Sequence, residues 1–110
     1  MKPAVTAFRK WAWPGYRDGQ YVEFFVKELT PQQLIKILPQ FEFDDRTPIV
    51  IKDGGEPSWV FLMVISRAQA TADPPWIAIH YPDQEKIVVV ASRDPGMRPF
   101  DEISVSRGGF

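Results

Sequence analysis

Apolar runs separated by turn-forming residues divide the first part of the chain into a hairpin and a helix. Residues 3–27 predict a β-hairpin, because AVTAFRKWAW and QYVEFFVKE are rich in strand formers and PGYRDG between them holds two turn dipeptides. Thr30 before Pro31, with Gln33 three residues beyond the threonine, is typical of a helix N-terminus, and LIKIL supplies an apolar stripe. The pattern predicts a helix over 30–38.

Strands alternate with a second helix in the rest of the chain. IVIK at 49–52 is a short apolar strand, and SWVFLMVISRAQA after it fits a buried strand or a buried helix. Pro57 favours the helix, whose apolar surface would then need cover from the sheet and from a second copy of the chain. WIAIH and KIVVVAS predict a hairpin over 76–92, with the VVV run in a doubly buried central strand, and ISV is a last strand.

The resulting element order, β-β-α-β-α-β-β-β, predicts one α/β domain over 1–110. Interleaved strands and helices favour a mixed sheet of about five to six strands with two helices. A length of 110 residues is typical of a single domain. We expect this domain to form a homodimer.

Charge and composition narrow the range of partners. The chain has 13 lysines and arginines against 14 aspartates and glutamates, which disfavours a protein that coats nucleic acid by bulk attraction. No window approaches the roughly 18 apolar residues of a membrane helix, and the absence of cysteine fits a reducing compartment. We expect a cytoplasmic protein with no membrane or DNA partner, whose nucleotide ligand, if any, is small.

The segment Lys52-Asp53-Gly54-Gly55 before the predicted second helix has two interpretations. Glycine N–H groups at a helix N-terminus can approach a phosphate closely, and the positive end of the helix favours the anion. An ordinary strand-to-helix turn explains the same glycines, and Glu56 would repel an anion if it faced inward. Both interpretations remain open from the residues alone.

Other candidate ligand contacts lie near strand ends. His80 is the only histidine and ends the strand IAIH, a place where α/β sheets often carry ligand groups. Its imidazole could act as an acid or a base, or it could be a hydrogen-bonded structural residue. Arg67 and Arg93 suit phosphates, although each alone also fits a surface charge, and Tyr81 could stack on a base.

The second half of the chain resembles a known family. GGEPSW opening the helix, PPWIAIHYP, then IVVVAS and PFDEI are similar to the small CRISPR-associated ring-nuclease-type proteins of type III systems, which handle cyclic tetra-adenylate. The likeness covers about residues 45–105, and its patterns are Gly-x-x-Pro-x-Trp from Gly54 to Trp59, Pro-aromatic-x-Ala from Pro75, and a valine strand that ends in Ser92. The resemblance implies a symmetric dimer whose two copies present equivalent surfaces to the ring. A head-to-tail stack with the ring between dimers would gain affinity by avidity, so we also expect filaments around the ligand.

Within the function that this resemblance implies, we assign a catalytic role to His80 and ligand contacts to a larger set. That set comprises Lys52, Asp53, Gly54, Gly55, Ser58, Arg67, Tyr81, Ser92 and Arg93. Some members of the family cleave the ring with a metal such as manganese, through a histidine before the Pro-aromatic strand and an aspartate at its end. Ala72-Asp73 and His80-Tyr81-Pro82 stand at those places here, so we assign no metal ligands; manganese or magnesium would be needed only for metal-assisted cleavage.

The expected function is therefore to lower the level of cyclic tetra-adenylate, either by sequestration or by cleavage to linear products. A general single-stranded RNA-binding module is one alternative, since the predicted N-terminal hairpin is aromatic and basic near its turn. A structural or protein-interaction dimer without any nucleotide is the other.

Overall fold

The computed structural model describes residues 6–13, 16–24, 30–40 and 43–104, and these form a six-stranded mixed sheet with two α-helices. The strands are β1 Thr6–Trp13, β2 Tyr16–Phe24, β3 Ile49–Lys52, β4 Trp76–Tyr81, β5 Lys86–Ser92 and β6 Glu102–Ser104. The helices are α1 Pro31–Ile37 and α2 Ser58–Thr71, with short 3₁₀ turns at Leu38–Gln40 and Pro82–Gln84. The predicted α/β class and element order are confirmed.

The strands lie side by side in the order in which they occur in the chain. β2, β3 and β4 run parallel, while β1 pairs antiparallel with β2, β5 with β4, and β6 with β5. α1 and α2 are the two crossovers between the parallel strands, and both advance across the sheet in the same direction. Because such crossovers are right-handed, both helices lie on one face of the sheet. The ends of β2, β3 and β4 meet at what we call the carboxyl end of the sheet; their starts define the amino end.

The main hydrophobic core lies between the helices and this face of the sheet. Buried residues of α1 and α2 pack against alternate residues of the parallel strands. The members of this core are Val22, Leu34, Ile37, Ile49, Ile51, Val60, Phe61, Val64, Ala68, Ile77 and Ile79. Strand alternation therefore assigns the intervening residues of β2, β3 and β4 to the opposite face.

The opposite face carries a second buried cluster, although neither of the two described α-helices lies on it. Its members are Tyr21, Val50, Trp76, Ala78, Ile87 and Val89, with Met97 and Ile103 packed against them. The loop after β5 brings Met97 to this face. Two hydrogen bonds join the loop to Val89 of β5: Phe100 N donates to the Val89 carbonyl at 2.7 Å, and Val89 N donates to the Asp101 carbonyl at 2.9 Å. This cluster supports the polar side chains described below.

The start of α1 is set by local hydrogen bonds, as its sequence predicts. Thr30 Oγ1 accepts a hydrogen bond from Gln33 N at 3.2 Å, and Gln33 Oε1 accepts one from Thr30 N at 2.9 Å. This reciprocal pair satisfies two backbone donors that the first helical turn leaves without partners. The α-helix then gives way to the 3₁₀ turn that contains Pro39.

Two strand predictions need correction. β5 is not the doubly buried central strand, since Val88 and Val90 are only half-buried; the central strands are β3 and β4. The predicted turn PGYRDG is also too long, because Trp13 pairs with Tyr16 and Gly19 lies within β2. A valine run indicates a strand, but its place in the sheet depends on pairing with distant residues.

α2 is not apolar on all sides, so the prediction that it needs cover from a second copy does not follow from the fold. Its outward stripe is Ser58, Leu62, Ser66 and Gln69, and of these only Leu62 is a large apolar residue, 66% exposed. None of the helices within the described residues is long and apolar enough to cross a membrane.

Candidate functional site at the carboxyl end of the sheet

Three polar side chains lie next to one another where the parallel strands end. Lys52 pairs in register with His80, and the pairing of Val22 with Ile51 places Glu23 beside Lys52. Because side chains alternate along a strand, all three share the face opposite the helices, together with Tyr21. We call Tyr21, Glu23, Lys52 and His80 the carboxyl-end cluster. In open α/β sheets, ligands bind at this end of the strands.

Tyr21 and His80 are joined by a short, buried hydrogen bond. The Tyr21 Oη to His80 Nδ1 distance is 2.5 Å, and the residues are 1% and 8% exposed. Their ring centroids are 5.7 Å apart and the ring planes meet at 61°. The imidazole is therefore held in one orientation, in contact with a phenol that comes from a strand two positions away in the sheet.

Lys52 and Glu23 form an ion pair beside this hydrogen bond. Lys52 Nζ lies 2.7 Å from Glu23 Oε2, and the two side chains are 34% and 18% exposed. An ammonium group has three N–H donors, and the carboxylate receives one of them. The pair as a whole has no net charge; it fixes an ammonium group at the carboxyl end and leaves part of the lysine side chain open to solvent.

The glycine loop after β3 is bound to the same end of the sheet, and its N–H groups are already used. Asp53 N donates to the His80 carbonyl at 2.8 Å, Gly55 N to Asp53 Oδ1 at 3.0 Å, and Gly54 N to Glu56 Oε2 at 2.8 Å. The turn interpretation therefore accounts for the geometry as it stands. The same bonds demonstrate that these N–H groups can hold an anionic oxygen, so a phosphate would have to displace a carboxylate.

The two glycines are expected to respond differently to alanine. Gly55 has φ +97°, a conformation that L-residues rarely adopt, whereas the alanine Cβ at 54 would meet only the movable Glu56 carboxylate, 3.1 Å away. Gly55→Ala should lower the free energy of unfolding by about 1 kcal/mol, and Gly54→Ala by less than about half of that. Urea denaturation measures both. Equal losses in the two variants would contradict the assignment of strain to Gly55.

The predicted site residues separate into two groups at opposite ends of the sheet. Lys52, Asp53, Gly54, Gly55, Ser58 and His80 lie at the carboxyl end, Ser58 as the exposed first residue of α2. Ser92 pairs with Trp76 at the start of β4, so Ser92 and Arg93 lie at the amino end. β4 has six residues and spans about 20 Å, so one small ligand does not reach both groups on one chain.

Two further predicted residues lie apart from the carboxyl-end cluster. Tyr81 ends β4 but packs against the core on the helix side, so it lies on the other face from His80. Arg67 lies in the last two turns of α2, the half of the helix nearer the amino end of the sheet. Its Nε is buried and has no hydrogen-bond partner among the described residues.

The amino-end group has its own geometry. Arg93 Nε lies 3.0 Å from Asp73 Oδ1, and Arg93 Nη2 donates to the Asp73 carbonyl at 3.2 Å. Both side chains are more than half exposed, so the pair contributes little to stability. They border a pocket of about 190 Å³ that Gln69, Pro74, Ile77, Ala91 and Ser92 also line.

Tyr21 and Glu23 are site residues that the sequence analysis missed. Their spacing of two in QYVEF places both on one face of a strand, which is the only local signal of their association. Tyr21 reaches a residue 59 positions away, and no pattern within β2 indicates that partner.

The metal chemistry of the resembling family does not fit the described residues. No group of three histidine, cysteine, aspartate or glutamate residues among them could hold a metal ion. The candidates at the carboxyl end are engaged otherwise, because His80 Nδ1 bonds Tyr21 and the Glu23 carboxylate pairs with Lys52. We therefore derive no chemical step through a metal.

Comparison with known proteins gives a family match. The family model described as CRISPR-associated protein (Cas_csx3) matches residues 24–104, which include both helices and strands β3 to β6. A comparison with curated proteins gave no match. The matched range contains Lys52, the glycine loop and His80, and it begins just after Tyr21 and Glu23.

Proposed function

Because the chain belongs to the CRISPR-associated Cas_csx3 family, we propose that it binds the cyclic tetra-adenylate messenger of type III CRISPR defence and lowers its concentration. The observation that carries the proposal is the carboxyl-end cluster, which lies within and beside the matched range. The cluster holds a fixed lysine and an oriented histidine, and the glycine loop that directly follows Lys52 has two N–H groups that bind carboxylates. Cations and backbone N–H groups are the donors that phosphates prefer.

The ligand carries one negative charge on each phosphate, and the cluster offers one ammonium group per chain, which a phosphate would share with the Glu23 carboxylate. A homodimer would present two equivalent clusters to a ring that is itself symmetric, so opposite phosphates would meet the same residues. Two weak contacts on one ligand gain affinity because the second contact is intramolecular. We therefore propose that the working form is a homodimer.

The amino-end group extends this arrangement. Arg67 and Arg93 lie at the opposite end of the sheet from Lys52, so a second dimer could contact the far side of a ring held at the carboxyl end of the first. Repetition of that head-to-tail contact would produce filaments that grow with added ligand. In such a filament, the predicted residues at the carboxyl end of one dimer and those at the amino end of the next would contact the same ligand.

Lowering the messenger concentration can proceed by sequestration or by cleavage. In cleavage, a 2′-oxygen of the ring would attack the adjacent phosphorus, losing its proton, and the 5′-oxygen would leave and gain one. The product is a linear chain with a 2′,3′-cyclic phosphate. His80 and the glycine N–H groups would contribute by positioning and by stabilising charge on the phosphate.

Titration with cyclic tetra-adenylate tests the proposal. We expect retention of the ring by the protein, with cyclic hexa-adenylate and linear tetra-adenylate bound more weakly, and an increase in particle size detected by light scattering. Chromatography of the ligand afterwards distinguishes the modes: the intact ring indicates sequestration and linear products indicate cleavage. Neither retention nor products would refute the proposed function.

The same titration addresses the alternatives. A general RNA-binding module would bind linear RNA that cyclic tetra-adenylate cannot displace, whereas an interaction dimer would give no thermal shift with any nucleotide. The side chains near the hairpin turn that suggested RNA binding lie outside the described residues.

A further inference from the structure

We propose that Tyr21 is a positioning residue that donates its hydroxyl proton to His80 Nδ1 and so holds the proton of the neutral imidazole on Nε2. His80 then offers an N–H at Nε2 rather than a lone pair. It would act on a ligand phosphate as a hydrogen-bond donor, not as a base or a metal ligand. The contact with phosphate rests on the proposed function, but the position of the proton does not.

The distance between the two atoms indicates which one donates. The Tyr21 Oη to His80 Nδ1 separation is 2.5 Å. Bonds from an O–H to an oxygen extend down to about 2.5 Å, whereas those from an N–H to an oxygen begin at about 2.7 Å. A phenol O–H is also a stronger donor than a neutral imidazole N–H, and the unprotonated ring nitrogen is a stronger acceptor than the phenol oxygen. A phenol hydroxyl donating to the unprotonated ring nitrogen fits this separation better than an imidazole N–H donating to the phenol oxygen.

Burial protects the hydrogen bond between Tyr21 and His80 from exchange with water. Tyr21 is 1% exposed and His80 8% exposed, so water has little access to exchange for either partner. The rings are also fixed by the sheet, because Tyr21 is part of the second hydrophobic cluster and His80 is in register with Lys52 on one side and Ile87 on the other. In a neutral imidazole, occupying Nδ1 as an acceptor decides the protonation of Nε2.

As a result, the hydrogen-bond donors of this site would all favour an anionic ligand. Lys52 lies beside His80, and the Asp53 N–H that follows β3 bonds the His80 carbonyl. An imidazole N–H adds to a positive lysine and to the loop N–H groups as a partner for phosphate oxygen. This agrees with the lack of a metal-holding group among the residues described here.

The single histidine makes the test direct. Long-range ¹H–¹⁵N correlation on protein labelled with ¹⁵N-histidine reports only His80, at a pH where the ring is neutral. We expect the wild-type signals of an Nε2-protonated ring. Tyr21→Phe, which removes the hydroxyl and keeps the ring, should give the averaged nitrogen shifts of a tautomer mixture. Tyr81→Phe is the matched control, because Tyr81 lies on the other face of the sheet. This variant should have the same His80 nitrogen shifts as the wild type.

The outcomes separate the inference from the proposed function. An Nδ1-protonated wild-type ring, or an unchanged tautomer in Tyr21→Phe, would overturn the inference. If Tyr21→Phe does not fold, an Nδ1-protonated ring in the wild type would still overturn the inference. Where the wild type binds cyclic tetra-adenylate, Tyr21→Phe should weaken binding by about 3- to 10-fold, the effect of one misplaced hydrogen bond. A wild type with the predicted tautomer that binds no ring would refute the function and keep the inference.

Discussion

Replacement of Trp76 by alanine is expected to lower the free energy of unfolding by about 3 to 5 kcal/mol. Trp76 starts β4, is 1% exposed, and is the largest member of the second hydrophobic cluster. Neither of the described α-helices covers that face, so the indole itself fills part of the space there. Its removal leaves a cavity and forfeits the burial of a large aromatic surface.

The Trp76 prediction is measured by urea denaturation followed by far-UV circular dichroism, which does not depend on tryptophan emission. Leu62→Ala is the control, because Leu62 is 66% exposed on α2, and it should change stability by no more than about 0.5 kcal/mol. Domains of this size are stable by only about 5 to 15 kcal/mol, so the Trp76 variant should lose a large fraction of its stability. Similar losses in both variants would contradict the burial assigned to Trp76.

Lys52→Ala should weaken binding of cyclic tetra-adenylate by about 10- to 100-fold. A hydrogen bond to a charged group contributes about 1.5 to 3 kcal/mol, and the variant also removes the ammonium partner of the Glu23 carboxylate where a phosphate would approach. Isothermal titration calorimetry at fixed salt gives both affinities. The same affinity in the variant and the wild type would remove Lys52 from the site.

Two comparisons isolate the local effect of Lys52. Lys36→Ala removes an equal charge from an exposed position on the last turn of α1 and should change the affinity by less than about twofold, since exposed distant charges are screened by salt. Glu23→Gln in the Lys52→Ala background should restore part of the lost affinity, because it removes a negative charge from the place where the phosphate would bind. No recovery would mean that repulsion from Glu23 contributes nothing to the loss of affinity in Lys52→Ala.

Local patterns were sufficient for most of the secondary structure. The capping box of Thr30 and Gln33 and the proline before α2 act within a few residues, so the start of each helix could be predicted to within a residue. The candidate site was predicted in part, because Lys52, the glycine loop and His80 follow strands whose carboxyl ends lie together in a parallel sheet.

Other features depend on pairing between distant residues. The place of β5 next to the central strands, and the separation of Arg93 from Lys52 by the length of β4, follow from strand order and direction. A pattern with period two gives the faces of a strand but not its neighbours. For this reason the sequence analysis placed residues from both ends of the sheet in one ligand site.

The sequence by itself determined the order of the elements, the starts of the helices and a histidine near a strand end, since these rest on contacts between residues close along the chain. Only the tertiary structure decided that Tyr21 bonds His80 and that Glu23 pairs with Lys52. The parallel alignment of β2, β3 and β4 brings these side chains into hydrogen-bonding distance, and that alignment is stabilised by the core on the helix side rather than by the site residues themselves.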